Sequence, residues 1–187
     1  ASFSVMGTAI MSLGIRLVQE RVQGWAVYMR VTPLPGSVYF FGKMFVQTVM
    51  HLLCLIVIFV AGYLINGVSL TYGQWLLSGL WILIASVPFL AIGTLIGSMK
   101  RVDTASGVSN GIYLGLAVTG GMWFPIEAMP SIMQAIGKWM PSYHFGGGAW
   151  SIVRGEAPGL DNFMVLAGYL VVFMLLSTYI RKKQQAD

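Results

Sequence analysis

The first candidates for chemistry are the few polar side chains that interrupt long apolar stretches. Gln47, Thr48 and His51 fall in one stretch, and Asn110 falls in another. Gln47 and His51 are four residues apart, so they are predicted to share one face of a helix. Polar groups inside hydrocarbon are costly and are candidate functional residues by default. No apolar stretch contains an acidic partner for His51, so hydrogen bonding between helices competes with a role in substrate passage.

Other familiar chemistry is not supported by the residue pattern. His51 and His144 are too few, without nearby carboxylates, to suggest a metal site. The stretch from Gly36 to Lys43 superficially resembles a phosphate loop, but five residues separate its glycines and no Ser or Thr follows the lysine. The chain is therefore predicted to be no enzyme and to bind no cofactor or metal directly. Any ATP hydrolysis must come from a separate protein.

The composition places the chain in a membrane. Hydrophobic residues make up 57% and charged residues only 9% of the chain, with a mean hydropathy of +0.77. A soluble domain typically carries about 25% charged residues. The net charge of +5 comes from basic residues scattered between apolar runs, which argues against nucleic acid as a partner. The lipid bilayer is the predicted surrounding, and Cys54 can form no internal disulfide.

Five apolar stretches predict an all-α bundle of about five transmembrane helices in one domain, residues 1–187. The stretch 44–65 carries no formal charge, and at about 1.5 Å per residue it is long enough to cross a hydrocarbon core of about 30 Å. Pro88 is expected to kink the third stretch because it removes a backbone hydrogen bond. The predicted spans are residues 2–18, 44–65, 75–97, 104–124 and 163–180.

The basic residues predict the orientation of these spans. Lys and Arg are enriched in the cytoplasmic connections of membrane proteins. With residues 19–43 in the cytoplasm, only Lys138 and Arg154 fall outside, and the C-terminus is cytoplasmic. Five spans then place Ala1 outside, so a sixth, N-terminal helix is expected to be missing. The basic residues on the cytoplasmic side are Arg16, Arg21, Arg30, Lys43, Lys100, Arg101, Arg181, Lys182 and Lys183.

Residues 19–43 gather charge, aromatics and proline between the first two spans. Trp25, Tyr28 and Met29 can share one side of a short helix at the membrane interface, which Pro33 and Pro35 would end. Such a helix is either an ordinary interfacial connector or the place where the membrane body receives force from a soluble partner.

Residues 125–158 contain two pieces too short to span a membrane, Ser131 to Met140 and Ala149 to Val153, with a flexible break predicted at Gly146 to Gly148. They predict an external re-entrant helical hairpin, with a loop on the membrane surface as the alternative.

Small residues recur every fourth position at Gly107, Gly111 and Gly115, a pattern that lets helices approach closely. The approaching helix belongs to the same chain in one interpretation. In the other, these glycines form a dimer seam or line the pathway.

Two motifs carry a resemblance to a known family. Glu20-Arg21, Gly24, Arg30-Val-Thr-Pro-Leu-Pro35 and Gly42-Lys43 resemble the cytoplasmic loop of type-2 ABC transporter permeases, which forms their coupling helix. Gly120-Gly121-Met-Trp-Phe-Pro125, followed by Met129-Pro130 and Pro141, resembles the segment after the family's fifth helix. The resemblance covers nearly the whole chain, and the family's first helix, its preceding interfacial helix and the following external loop are absent.

The resemblance implies the multi-pass membrane permease subunit of an ATP-driven ABC transporter in a bacterial cell membrane. It implies coupling to a separate ATP-binding subunit, pairing as a homodimer or heterodimer, and export of an amphiphilic compound such as a drug, peptide or lipid-linked molecule. The ATPase-coupling residues would be Glu20, Arg21, Gly24, Trp25, Arg30, Thr32, Pro33 and Lys43. Candidate pathway or packing residues are Gln47, His51, Asn110, Trp123 and Phe124.

Two other classes compete with a permease subunit. A stand-alone channel or secondary transporter would need paired charges within the spans or an inverted repeat, and the sequence shows neither. An intramembrane enzyme would need catalytic residues at matched depth, and none converge.

Overall fold

The fold is a bundle of α-helices. The computed structural model describes residues 1–25, 35–124 and 126–186, and those residues contain no β-strand. The helices are α1 (Ser2–Gly7), α2 (Leu13–Val22), α3 (Gly36–Asn66), α4 (Tyr72–Ala85), α5 (Val87–Ile96), α6 (Val102–Thr119), α7 (Ser131–Gly137), α8 (Pro141–Val153) and α9 (Leu160–Ala186). A π-helical turn, Thr8–Ser12, joins α1 to α2, and a 3₁₀ turn, Ile126–Ala128, precedes α7.

The continuous helix formed by α1, the π-turn and α2 lies at the centre of the bundle. Val5, Met6, Ala9, Ile10 and Val18 are fully buried along it. Helices α5 and α6 pack along this helix. The first predicted span is therefore the core helix of this fold.

Helix α5 crosses the central helix at close range. A Cβ atom at Gly93 would overlap the Ala9 carbonyl oxygen, and one at Gly97 would lie 2.7 Å from Leu17 Cδ1. Small residues at such a crossing let two backbones approach closely. Helices α4 and α5 are separated at Ser86, two residues before Pro88, in agreement with the predicted kink.

In the part of the chain that the structure describes, three helical stretches are long and apolar enough to cross a membrane: Phe41–Asn66, Tyr72–Ile96 and Leu160–Ile180. They fall on the predicted second, third and fifth spans, although α3 begins at Gly36 rather than at Met44. The predicted first and fourth spans are helical over Ser2–Val22 and Val102–Thr119, and their membrane crossings stay predictions.

The glycine run Gly146 to Gly148 is helical, so the predicted flexible break at this place was wrong. It lies inside α8, where a Cβ at Gly148 would overlap the indole ring of Trp81. Helix α8 packs directly against α4 at Gly148, and only a residue without a side chain fits between the α8 backbone and the indole.

Candidate coupling site and groove

The Glu20 carboxylate ties the end of the central helix to the start of α3. Its Oε2 accepts a hydrogen bond from the Tyr39 hydroxyl, and its Oε1 pairs with Lys43 Nζ. The Lys43 ammonium also lies 5.5 Å from the centre of the Tyr39 ring. These side chains are only partly exposed, 30% for Lys43 and 23% for Glu20, so solvent screens the pair less than it would on an open surface.

Tyr39 stays a hydrogen-bond donor in this arrangement. Burial, and then the bond to the Glu20 carboxylate and its charge, raise the pKa of the Tyr39 phenol above its ordinary value. The protonated form is therefore favoured in the folded protein, and the contact persists at neutral pH. It would weaken only in strongly alkaline solution, as the phenol ionises.

Arg21 ties the same end of the central helix to a different part of the chain. Its guanidinium donates a hydrogen bond of 2.9 Å to the backbone carbonyl of Ser98, in the turn between α5 and α6. We call the five residues Glu20, Arg21, Tyr39, Lys43 and Ser98 the basic end. Through it, adjacent residues of one helix reach both α3 and the α5–α6 turn, although Arg21 and Ser98 are 77 positions apart.

The other predicted coupling residues lie beside the basic end or outside the described residues. Gly24 has a φ of +80°, a backbone conformation that glycine adopts readily, and it ends the central helix. Trp25 follows it and is 54% exposed. Arg30, Thr32 and Pro33 lie outside the described residues.

Gln47 and His51 are brought together inside the bundle. Gln47 Nε2 donates to the Thr8 carbonyl at 3.2 Å and lies 3.1 Å from His51 Nε2. Thr8 begins the π-turn, where the hydrogen-bond pattern of a regular helix is interrupted. The Gln47 amide therefore partners a carbonyl of that turn, and both polar side chains are buried.

The remaining candidate pathway residues are exposed in this chain. Asn110 lies on an open face of α6, and Trp123 and Phe124 are 52% and 60% exposed beyond its end. The Trp123 ring lies 6.0 Å from the ring of Phe3, so it neighbours the start of the central helix. The structure thus separates these residues from the buried pair Gln47 and His51.

A groove of about 540 Å³ runs along the open side of the central helix. Its residues lie on that helix, with one exception on α6, and extend over about 24 Å at 1.5 Å per residue. They are Phe3, Ser4, Gly7, Thr8, Met11, Ser12, Ile15, Arg16, Gln19 and Tyr113. The ends differ, because the rings of Phe3 and Tyr113 lie 4.8 Å apart at one end and Arg16 and Gln19 lie at the other.

The sequence Gly107-Val-Ser-Asn-Gly111 has the spacing of a hydrolase nucleophile elbow. An elbow requires a sharp turn from a strand into a helix, which exposes the serine. Here the five residues lie within α6, Ser109 is fully buried, and its hydroxyl has no hydrogen-bond partner among the described residues. This serine is therefore not arranged as an activated nucleophile.

Sequence reasoning missed Tyr39, the Ser98 carbonyl and the groove. Tyr39 is an ordinary interfacial aromatic in the sequence, and a backbone carbonyl gives no sequence signal. The groove did leave a signal, since Ser4, Thr8, Ser12 and Arg16 recur every fourth residue in an apolar stretch. That spacing places polar groups along one stripe of a helix.

These features define the class: a helical integral membrane protein with an open groove and a charged end. A family model described as ABC-2 family transporter protein matches residues 1–179, and the chain belongs to that family. It is 56% identical over 184 residues to YvfS of Bacillus subtilis (strain 168), whose name describes a transport permease. The alignment covers 98% of this chain and 75% of that protein.

Family membership sets the general function. The chain is a membrane permease subunit of an ABC transporter, and an ATP-binding partner is implied by that class. The resemblance to type-2 ABC permeases predicted from the sequence is confirmed.

Proposed function

We propose that this permease exports an amphiphilic compound and is driven through its basic end by a separate ATP-binding subunit. The observation that carries the proposal is that Glu20 contacts Tyr39 and Lys43, while the adjacent Arg21 contacts the Ser98 carbonyl. A displacement of residues 19–43 by the partner would pull on the central helix, α3 and the α5–α6 turn together. The C-terminus lies in the cytoplasm in this arrangement, as the distribution of basic residues indicates.

Movement of the central helix is what would connect ATP binding to the substrate. The groove follows this helix, so a shift of α2 changes its width. Few charges lie along it, which suits a substrate with a large apolar part. The π-turn supports this role, because such turns are rare and are frequent at functional sites.

Pairing of two permease chains, identical or related, would use the open face of α6. Gly107, Gly111 and Gly115 are exposed, and a Cβ at any of them would meet no atom of the described residues within 4 Å. Packing against the described residues therefore does not account for the pattern. Asn110, which is also exposed on α6, would lie at the edge of this seam.

The external hairpin, residues 131–153, would close the outer end of the pathway. Gln74 Nε2 donates to the Val153 carbonyl at 3.0 Å, and Trp81 Nε1 donates to the Phe145 carbonyl at 3.0 Å. Helix α8 thus runs alongside α4 over seven residues, about 10 Å at 1.5 Å per residue. This depth supports a re-entrant hairpin that dips into the outer leaflet. Backbone at that depth is tolerated where it is covered by protein.

The experiment that tests the proposal separates ATP turnover from transport. The transporter is reconstituted in vesicles with its ATP-binding partner, and Glu20→Gln is compared with the unmodified protein. We expect transport per ATP hydrolysed to fall at least tenfold, because Tyr39 and Lys43 lose their common charged partner. ATP hydrolysis itself should continue.

Glu156→Gln is the matched control, since this carboxylate is exposed and lies far along the chain from the basic end. It should leave the ratio of transport to hydrolysis unchanged. A Glu20→Gln transporter with a normal ratio would contradict coupling through the basic end.

A further inference from the structure

The charges of the groove point to a narrower substrate class. Among the described residues that line the groove, Arg16 is the one that carries a charge, and none is a carboxylate. Among the described residues, no hydrogen-bond or ion-pair partner contacts the Arg16 guanidinium. The neighbouring Arg21, in contrast, is engaged with the Ser98 carbonyl. Arg16 is therefore available to a ligand.

The position of Arg16 is as informative as its charge. It lies at the end of the groove nearest the basic end, one turn before Glu20, where the headgroups of a bilayer would begin. A long arginine side chain can hold its guanidinium at that level, at the edge of the hydrocarbon. Its planar fork of donors matches the oxygens of a carboxylate or phosphate. Gln19, beside it, supplies an amide that can hydrogen-bond the same head.

The other end of the groove suits an apolar chain or ring. Phe3 and Tyr113 pack against each other there, and Met11 and Ile15 line the middle. The hydroxyl of Thr8 is already bonded to the carbonyls of Ser4 and Val5, so it offers little to a polar ligand. The groove thus has one anion-attracting end, and along the rest of its length the uncharged hydroxyls of Ser4, Thr8 and Ser12 lie beside apolar side chains.

We propose that the groove binds an amphiphile with a single anionic head, held by Arg16, whose apolar part lies along the central helix towards Phe3 and Tyr113. This inference rests on the proposed function, which makes the bound amphiphile the transported cargo. A neutral or cationic amphiphile of the same length is bound less tightly.

The first test measures binding and needs no ATPase. The purified chain, in a neutral mild detergent, is titrated with dansyl-undecanoic acid and with its uncharged methyl ester. We expect the acid to bind about tenfold more tightly, which corresponds to about 1.4 kcal/mol. Arg16→Gln should abolish this preference, and Arg16→Lys should retain part of it because the charge remains.

Arg101→Gln is the matched control, since it removes the same charge on the same side of the bundle but outside the groove. It should keep the full preference for the acid. Equal affinity of the unmodified protein for acid and ester would overturn the inference. Retention of the preference in Arg16→Gln would overturn it as well.

The second test distinguishes cargo from a resident membrane lipid. In phosphatidylcholine vesicles with the ATP-binding partner, the acid should raise ATP turnover and the ester should not. Displacement of the acid by phosphatidylglycerol, with no effect of the acid on turnover, would identify a resident lipid and overturn the inference. If Glu20→Gln still uncouples transport in that case, the proposed function stands. If Glu20→Gln has no effect, the proposed function fails, and the acid and ester titration still decides what the groove binds.

Discussion

The basic end and the contact between α4 and α8 hold their helices together by different means. At the basic end, charged side chains reach between helices, and Lys43 and Glu20 keep 30% and 23% of their surface exposed. At the α4–α8 contact, the two helices meet through Gly148, the buried ring of Trp81 and a neutral hydrogen bond to a backbone carbonyl. Long charged side chains can follow a moving backbone, whereas close-packed rings and backbones cannot without loss of contact. The comparison indicates that the helices can shift relative to each other at the basic end, whereas α4 and α8 are held rigidly.

The difference also lies in what a substitution would cost. Ion pairs with partial exposure contribute little to the free energy of unfolding, typically below about 1 kcal/mol. Overpacking a well-filled contact costs about 1–3 kcal/mol. Stability should therefore depend mainly on the α4–α8 contact, and coupling on the basic end.

The largest effect on stability is expected for Gly148→Ala. The added methyl group would overlap the Trp81 indole, so α8 must move away from α4. We expect a loss of about 3 kcal/mol in unfolding free energy, measured as a fall in the midpoint of thermal unfolding in mild detergent. Gly147→Ala, in the same helix but facing open space, is the control. Equal midpoints for the two variants would contradict the tight packing of α8.

A smaller loss is expected for Trp81→Phe. The ring is kept in part, but the Phe145 carbonyl loses its 3.0 Å hydrogen bond in a buried place. The Phe145 carbonyl lies inside α8 and keeps its helical partner, so the loss is that of one hydrogen bond, about 0.5–1.5 kcal/mol, together with part of the ring contact. Trp150→Phe serves as the control, because the Trp150 side chain is 65% exposed. A thermal midpoint for Trp81→Phe that matches this control would argue against a rigid contact between α4 and α8.

The smallest loss of stability is expected for Arg21→Gln at the basic end. It removes one hydrogen bond from a guanidinium to a carbonyl at a partly buried site, and a water molecule can replace the guanidinium as the donor to that carbonyl. We expect the thermal midpoint to change by less than it does for Trp81→Phe. Transport per ATP hydrolysed should nevertheless fall, as measured in vesicles with the ATP-binding partner. A large fall in the thermal midpoint of Arg21→Gln, with normal transport per ATP hydrolysed, would contradict the assignment of coupling to the basic end and of stability to the α4–α8 contact.

The sequence correctly predicted a helical chain with long apolar spans, but it predicted a break where α8 is continuous. The glycine run was expected to break the helix, since glycine has low helix propensity. Contact with Trp81 overrides that propensity, because Gly148 allows an approach that any side chain would prevent. The partner of a close-packed glycine lies far away in the chain, so a local pattern cannot reveal it.

Polar residues show the same limit. The spacing of Gln47 and His51 correctly predicted a shared face, since that is a property of one helix. The Thr8 carbonyl as the partner of Gln47 could not be predicted, because it depends on the rotation of two helices and on a π-turn. Likewise, the motif at Glu20 and Arg21 was recognised, but Tyr39 and the Ser98 carbonyl were not.

By itself, the sequence determined that this protein is a helical membrane protein whose charges gather near the ends of its apolar stretches and in the segments between them. The reason is local: a bilayer demands runs of apolar residues of fixed length and excludes unpaired charge. The tertiary structure alone decided which helix lies at the centre, which carbonyl meets Arg21, where glycine replaces a side chain, and that Arg16 faces a groove. Those features depend on the rotation and depth of packed helices, which are set by contacts between residues far apart in the chain.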